Sequence, residues 1–130
     1  MRIARGTFTP GQGHVLRGSF SIRFDGQVHL METSEDFFFD GSPDPGFALH
    51  TGIPVSADNP ELQRRMVETR FFDLPGDVVE VRGRRVGTIP PTLDPSAFDT
   101  LVLWCFRFPF ILGYGAIERL QPPDIQGRDD

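Results

Sequence analysis

Apolar and polar residues alternate along one stretch of the chain, and this pattern constrains the fold more than any other. Between Leu16 and Phe24 the apolar positions recur at every second residue, with arginines and serines between them. A two-residue period is typical of a β-strand that buries one face. An Asp25-Gly26 pair follows, and apolar residues return at alternate positions from Val28. Because an Asp-Gly pair between two such runs favours a two-residue turn, we predict a β-hairpin here.

Turn-forming residues are spread along the remaining sequence. Fourteen Gly and twelve Pro occur among the 130 residues without a repeating period, which favours short strands joined by tight turns. The one helix candidate is the segment from Asp58 to Glu68, with Asp58 or Asn59 as its cap. Further strands are predicted at residues 37–39, 47–50, 70–74, 78–81, 85–89 and 113–117. We therefore predict an all-β fold, an antiparallel β-sandwich or flattened β-barrel with at most one short helix.

The length and the two ends of the chain indicate one domain. A chain of 130 residues can bury a core without disulfides or metals. The last ten residues contain few apolar side chains, so we predict a single domain over residues 1–120 and a disordered C-terminal tail over residues 121–130. No signal-peptide run and no membrane-spanning segment is present. We expect a cytoplasmic protein, or an extracytoplasmic one if the chain is a trimmed mature form.

The charge of the chain disfavours nucleic acid as a partner. The formal net charge is -5, whereas neutralising phosphates requires a concentrated basic surface. The one basic cluster consists of Arg82, Arg84 and Arg85, and a run this short is typical of a solvated hairpin tip. The edges of a sandwich can pair with a second copy, so a homodimer is compatible with the sequence.

The most apolar segment, residues 101–110, contains the single cysteine, Cys105. We predict a continuous central strand here, covered on both faces. On such a strand Leu103, Cys105 and Arg107 share one face, which places Arg107 about 7 Å along the strand from Cys105. A guanidinium favours the thiolate, whereas burial favours the neutral thiol. Two interpretations stay open: a reactive Cys105 with Arg107 as its modulator, or an inert core cysteine.

The other candidate side chains are histidines and loop carboxylates. The three histidines have no metal-ligand spacing, so no metal site is predicted. A Cys105 nucleophile would need a histidine base placed beside it by the fold, and the sequence therefore yields no complete catalytic constellation. Whether the protein is an enzyme stays open. Three aspartates surround a loop rich in glycine and proline, where turn capping is favoured over calcium binding. This predicted ligand or partner loop contains Asp36, Asp40 and Asp44.

Several short motifs follow one another in a fixed order along the chain. They are Gly6-Thr7-Phe8, His14-Val15, Asp36-Phe37, Gly41-Ser42-Pro43-Asp44-Pro45, Phe72-Asp73-Leu74, Ile89-Pro90, and Phe98-Asp99-Thr100 leading into Val102-Leu103-Trp104-Cys105. In this order they resemble the electron-transfer DM-thirteen domain family over residues 6–117. The most specific part of the resemblance is the Trp-Cys strand with the Phe and Gly-x-Gly-Ala that follow.

The resemblance implies a β-rich domain with a role in redox or electron-transfer reactions. Cys105 matches the signature cysteine of the family, which is proposed to act as a bare thiol or as a ligand to a group such as haem. A haem would take Cys105 or His14 as its axial ligand. A single thiol forms no internal disulfide, so reversible chemistry needs a partner thiol, such as a protein redox partner, or a cofactor. The rival hypothesis is a non-catalytic β-sandwich module that binds a protein or small ligand.

Overall fold

The computed structural model describes residues 1–121. Within this range the chain forms thirteen β-strands and a single α-helix, and all strand pairs are antiparallel, which confirms the predicted all-β fold. The predicted tail at residues 121–130 lies outside the described residues except for Gln121. The elements are β1 (Arg2–Thr7), β2 (Thr9–Pro10), β3 (Leu16–Arg17), β4 (Ser19–Phe24), β5 (His29–Thr33), β6 (Phe38–Phe39), β7 (Pro45–His50), α1 (Pro60–Thr69), β8 (Arg70–Asp73), β9 (Val81–Arg82), β10 (Val86–Ile89), β11 (Thr100–Cys105), β12 (Phe110–Ala116) and β13 (Glu118–Arg119).

The strands form three sheets. The first sheet has the order β10-β5-β4-β1-β13, and the second has the order β2-β12-β11-β7-β8. The third is a small sheet with the order β3-β6-β9. Side chains from all three sheets meet in one apolar core, which includes Ile22 from the first sheet, Leu103 from the second and Phe39 from the third. The fold is therefore a β-sandwich, as the sequence predicts.

The predicted hairpin is formed by β4 and β5. Phe24 and His29 are the last paired residues before the turn. The carboxylate of Asp25 accepts hydrogen bonds from the backbone N–H groups of Gln27 and Val28, each at 2.9 Å. These hydrogen bonds lower the pKa of Asp25 because they stabilise the charged form. The aspartate therefore closes the turn with its side chain.

The central strand β11 is buried on both faces, as predicted from its continuous apolar run. All six of its residues are buried. Leu101, Leu103 and Cys105 belong to the sandwich core. Val102 and Trp104 instead pack with residues of helix α1 on the other face of the second sheet. The molecule therefore has three layers, with the first sheet, the second sheet and α1 in that order.

Helix α1 begins where the sequence predicts. The side-chain oxygen of Asn59 accepts a hydrogen bond from the backbone N–H of Glu61 at 2.9 Å, and Pro60 occupies the first turn. Leu62 and Met66 are buried against the second sheet. Among residues 1–121 no helix combines the length and the apolar character needed to cross a bilayer.

The two large sheets approach each other closely along one edge. The chain leaves β12 at Ala116 and enters β13 of the first sheet at Glu118. A Cβ atom at Gly6 of β1 would lie 2.3 Å from the carbonyl oxygen of Ala116 and 2.4 Å from the ring of Phe20. Only glycine fits here, since real Cβ atoms do not approach other atoms so closely. The two sheets therefore meet where β1 crosses β12.

Two predicted strand ranges and one predicted hairpin tip are wrong. The predicted strand at residues 101–110 stops at Cys105, because the chain turns over residues 106–109 before β12. In place of the strand predicted at residues 78–81, the structure has a two-residue strand at Val81–Arg82. Val78 has a φ of 53°, which a β-strand does not allow. The basic cluster is not a hairpin tip, because β9 pairs with β6 while β10 pairs with β5.

Candidate functional site

Cys105 is sealed inside the molecule. It is the last residue of β11, it is 3% exposed, and its side chain belongs to the sandwich core. The sulfur donates a hydrogen bond to the carbonyl oxygen of Pro43 at 3.0 Å. Neither of the two cavities described below includes Cys105 in its lining. The thiol therefore has a hydrogen-bond partner within the protein and a core environment.

The segment that covers Cys105 is held down by an arginine. Arg70 pairs with Asp44 at 2.7 Å and with Asp73 at 2.6 Å, and its guanidinium lies 3.9 Å from the ring centre of Phe106. The backbone N–H of Phe106 also donates to the carbonyl oxygen of Asp44 at 3.0 Å. Burial opposes the charge of Arg70, but the hydrogen bonds to the two aspartates outweigh it and raise its pKa. This network closes the Cys105 end of the sandwich.

Arg107 does not share a strand face with Cys105. It lies in the exposed turn at residues 106–109, beyond the end of β11. The prediction that a strand carries both side chains on one face is therefore wrong. The reason is that the Phe-rich turn has the composition of a core strand, although Phe108 is 64% exposed.

His14 is held by Asp40 between aromatic rings. Its Nδ1 atom lies 2.9 Å from Oδ1 of Asp40. Its ring stacks on Phe39 at 5.8 Å between ring centres and meets the edge of Phe110 at 5.6 Å. Phe110 is also the cross-strand partner of Cys105. His14 and Cys105 therefore lie at the same end of the sandwich, on either side of Phe110.

These residues do not fit a haem. A haem iron bound by Cys105 requires a sulfur that faces an open apolar pocket. The Cys105 sulfur instead bonds to Pro43 within the core. Neither described cavity is lined by Cys105 or by His14. We therefore derive no step through this group.

The three loop aspartates do not converge on one point. Asp36 accepts a hydrogen bond from the Ser34 hydroxyl at 2.5 Å. Asp40 pairs with His14, and Asp44 pairs with Arg70. Within the part of the chain that the structure describes, no three His, Cys, Asp or Glu side chains form a group that could hold a metal ion. Each aspartate thus fixes a different part of the loop.

An open trough lies on the outer face of the first sheet. Ser21 of β4 points outward because its neighbours Phe20 and Ile22 are buried. In the strand register Ser21 lies between Arg5 of β1 and Glu32 of β5. A short side chain between two long ones leaves a depression. We call it the outer trough; its volume is about 950 Å³. It is lined by Arg2, Arg5, Gly6, Thr7, Thr9, Ser19, Phe20, Ser21, Arg23, Glu32, Thr33, Ser34, Glu35, Ile53, Arg84, Tyr114, Ala116 and Glu118.

Two arginines of the outer trough form ion pairs with glutamates, whereas a third, Arg23, forms none among the described residues. Arg5 pairs with Glu118 at 3.4 Å, and Arg84 pairs with Glu32. Arg23 has no ion pair among the described residues, and its buried Nε atom has no hydrogen-bond partner there. Four arginines and three glutamates are among the described residues that line the trough.

The sequence alone does not indicate the outer trough. Its polar residues are the outward half of an alternating pattern, and this half is typical of any solvated strand face. The depression depends on which residues are neighbours across strands, such as Ser21 beside Arg5. In the sequence of β4, the outward Ser21 lies between the outward residues Ser19 and Arg23. This pattern is too common among solvated strands to indicate a binding site.

Comparisons with known proteins give no family for this fold. No protein-family model matches the chain, and no curated protein and no solved structure matches it. The resemblance to the DM-thirteen family therefore stays a prediction. The fold and the site define a β-sandwich with a sealed cysteine at one end and an open polar trough on its outer face.

Proposed function

We propose that this domain is a non-catalytic binding module whose ligand occupies the outer trough. The trough volume of about 950 Å³ falls within the range of ligand sites in proteins, about 300 to 1,000 Å³. Its lining combines hydroxyl groups, arginines and glutamates, which supply both hydrogen-bond donors and acceptors. These groups recognise a polar ligand.

The buried Nε atom of Arg23 is the observation that carries this proposal. Buried polar groups in proteins are almost always hydrogen-bonded, and an unsatisfied one costs about 1 to 3 kcal/mol. The Arg23 Nε has no hydrogen-bond partner within residues 1–121. Because this atom is buried, a ligand in the trough would supply the missing acceptor only after the Arg23 side chain turns toward it. The cost of leaving this donor unpaired is then recovered on binding.

Backbone amide spectra of the labelled protein test the proposal. We would titrate the domain with soluble oligosaccharides, short peptides and nucleotides as separate probes. The expected result is that at least one probe shifts the amides of Ser19, Ser21 and Thr7, while amides of residues 105–110 stay in place. Shifts confined to residues 105–110, or no shift with any probe, would overturn it.

A second candidate is a redox domain in which Cys105 reacts as a thiol, in line with the family resemblance. The observation in its favour is the His14–Asp40 pair at the same end of the sandwich, where Phe110 contacts His14 and pairs with Cys105. In this candidate the segment that carries Pro43 must move away before Cys105 meets a partner thiol.

Thiol labelling and a visible spectrum separate the two candidates. The redox candidate predicts that a thiol reagent labels Cys105 in native buffer faster than the protein unfolds, because only the segment that carries Pro43 has to open. Its cofactor version predicts a Soret band. A colourless protein that labels only after denaturation rules out both versions. The control is the Cys105→Ala variant, which should take up no reagent, since it removes the only cysteine.

A further inference from the structure

We propose that the turn between β11 and β12 docks on the surface of a phospholipid bilayer. We call this turn, residues 106–110, the aromatic tip. Its exposed phenylalanines enter the interfacial region of the bilayer, and its arginine binds the lipid phosphates. The aromatic tip shares no residue with the lining of the outer trough. This inference therefore goes beyond the proposed function and does not depend on it.

The aromatic tip exposes large apolar side chains that the core leaves out. Phe108 is 64% exposed and Phe110 is 39% exposed. Covering a Phe side chain gives one of the largest gains in apolar burial that a residue offers. Exposed apolar residues that stand alone need no explanation, whereas a group of them marks an interaction surface.

The loops beside the aromatic tip contribute to such a group. Val15 is exposed and follows His14, whose ring contacts Phe110. Val78 and Val79 are exposed on a loop that pairs with the segment covering the cysteine thiol. Ten large apolar side chains are exposed within the described residues, and five of them thus lie at this end of the sandwich.

The domain holds the aromatic tip in place at both of its ends. The ring of Phe106 lies 3.9 Å from the guanidinium of Arg70, and its backbone N–H donates to the carbonyl oxygen of Asp44 at 3.0 Å. At the other end, Phe110 pairs with Cys105 in the second sheet. The exposed residues between them therefore project from a fixed turn, which loses little conformational freedom on binding.

The shape and the backbone of the aromatic tip favour a bilayer over a protein partner. Residues 107–110 are exposed one after another, and neither described cavity includes them. A protruding turn needs a matching hollow in a protein partner, whereas lipids rearrange around it. Backbone donors that enter lipid must be satisfied. Pro109 has no N–H group, and the N–H group of Phe106 already has its acceptor.

Arg107 supplies the polar contact of the aromatic tip. It is exposed and forms no ion pair among residues 1–121. An arginine beside inserted apolar side chains keeps its aliphatic part in the apolar layer and its guanidinium among the headgroups. There it meets phosphate oxygens, which it binds through two parallel hydrogen bonds.

The charges of the molecule indicate insertion rather than electrostatic adsorption. The exposed Asp77 lies on a loop at the same end, and the chain has a formal net charge of -5. A bilayer with an excess of anionic lipid would repel these charges. The bilayer that fits best is therefore zwitterionic, with phosphatidylcholine as its lipid.

Sedimentation of the full chain with vesicles tests this inference. Phosphatidylcholine vesicles are added up to about 10 mM lipid, so that partitioning weaker than that of a single lipid anchor is still measured. We expect the bound fraction to rise with the lipid concentration. Replacing part of the lipid with anionic phosphatidylserine should not strengthen binding, because apolar insertion drives it.

Variants assign the binding to the aromatic tip. Phe108→Ser should weaken partitioning by about 10-fold, because less apolar surface enters the bilayer. Arg107→Gln should weaken it by about 5-fold. Val55→Ser is the matched control, since Val55 is also exposed but follows β7 at the end of the sandwich away from Cys105. It should partition like wild type, and thermal unfolding verifies that each variant is folded.

Three outcomes would overturn the bilayer as the partner. The first is wild-type protein that does not sediment with vesicles. The second is Phe108→Ser that partitions like Val55→Ser. The third is a dimer in sedimentation velocity without lipid that Phe108→Ser dissociates, which would assign the aromatic tip to an interface between two copies of the chain. The outer trough is tested separately, by the amide spectra with soluble probes.

Discussion

The Cys105 end of the sandwich and the outer trough each contain a half-buried arginine, and the two arginines differ in what surrounds them. Arg70 bonds to two aspartates and lies over the ring of Phe106. Arg23 has neither an ion pair nor a partner for its buried Nε within residues 1–121. Arg70 therefore has its partners within the fold. Arg23 has no such partners within the described residues, and this is why we propose that a ligand binds beside it.

This difference separates a site that stabilises the fold from a candidate binding site. At the Cys105 end the donors already have acceptors, including the thiol, which bonds to Pro43. In the outer trough one cation lacks an acceptor. Buried polar groups without partners are rare in folded proteins. The outer trough, which contains one, is therefore a stronger candidate for a binding site than the Cys105 end. The presence of a single chemically reactive residue, here Cys105, is weaker evidence for a functional site.

The largest expected effect is at Cys105. Cys105→Ser should destabilise the domain by about 1 to 3 kcal/mol, because it buries a more polar group whose shorter bond to Cβ weakens the hydrogen bond to the Pro43 carbonyl. Cys105→Ala should cost less, since it loses one weak thiol hydrogen bond but adds no polar group. Chemical denaturation of both variants measures the difference. A Cys105→Ser variant as stable as wild type would mean that the sulfur is open to solvent, and the comparison above would fail.

The next effect is at Arg70. Arg70→Met should lower the free energy of unfolding by about 1 to 2 kcal/mol, because it breaks two charged hydrogen bonds that are partly open to solvent. The variant should also speed thiol labelling of Cys105, since Asp44 lies next to Pro43, the residue that caps the sulfur. Labelling kinetics in native buffer check this second effect. Unchanged stability and labelling would show that the network does not close this end.

We expect the free energy of unfolding to depend on pH through His50, which lies outside both regions compared above. Burial and the nearby charge of Arg65 lower its pKa, against the opposing charge of Asp99. The unfolded chain then binds a proton at higher pH than the folded protein does, so stability falls as the pH drops below about 6.5. Unfolding curves from pH 8 to pH 5 should show this loss. His50→Gln should reduce the slope, and Arg23→Met should keep it.

The smallest loss of stability is at Arg23. Arg23→Met should leave the free energy of unfolding unchanged or raise it by up to about 1 to 3 kcal/mol, because it removes a buried donor that has no partner within the described residues. The contrast with Arg70→Met is the sharpest form of the comparison, since both replace a half-buried arginine on a strand. A loss of more than about 1 kcal/mol at Arg23 would indicate a structural role for its side chain.

The local parts of the fold are predictable from sequence, and the site is not. The β4–β5 hairpin and the start of α1 follow from periodicity and capping, which depend on residues close in the chain. The end of β11 is mispredicted because residues 106–110 are rich in Phe, yet Phe108 and Phe110 are exposed. The outer trough depends on the register of three strands, so its depth at Ser21 is set by Arg5 and Glu32, which lie far apart in sequence.

The most direct test of the outer trough as the functional surface is the side-chain NMR signal of the Arg23 Nε–H group during titration with the probe that shifts the Ser21 amide. We expect this signal to shift and saturate together with the Ser21 amide, while the Nε–H signal of Arg70 stays in place. An Arg23 signal that does not move, or a shift at Arg70 alone, would contradict the claim that the outer trough is the functional surface.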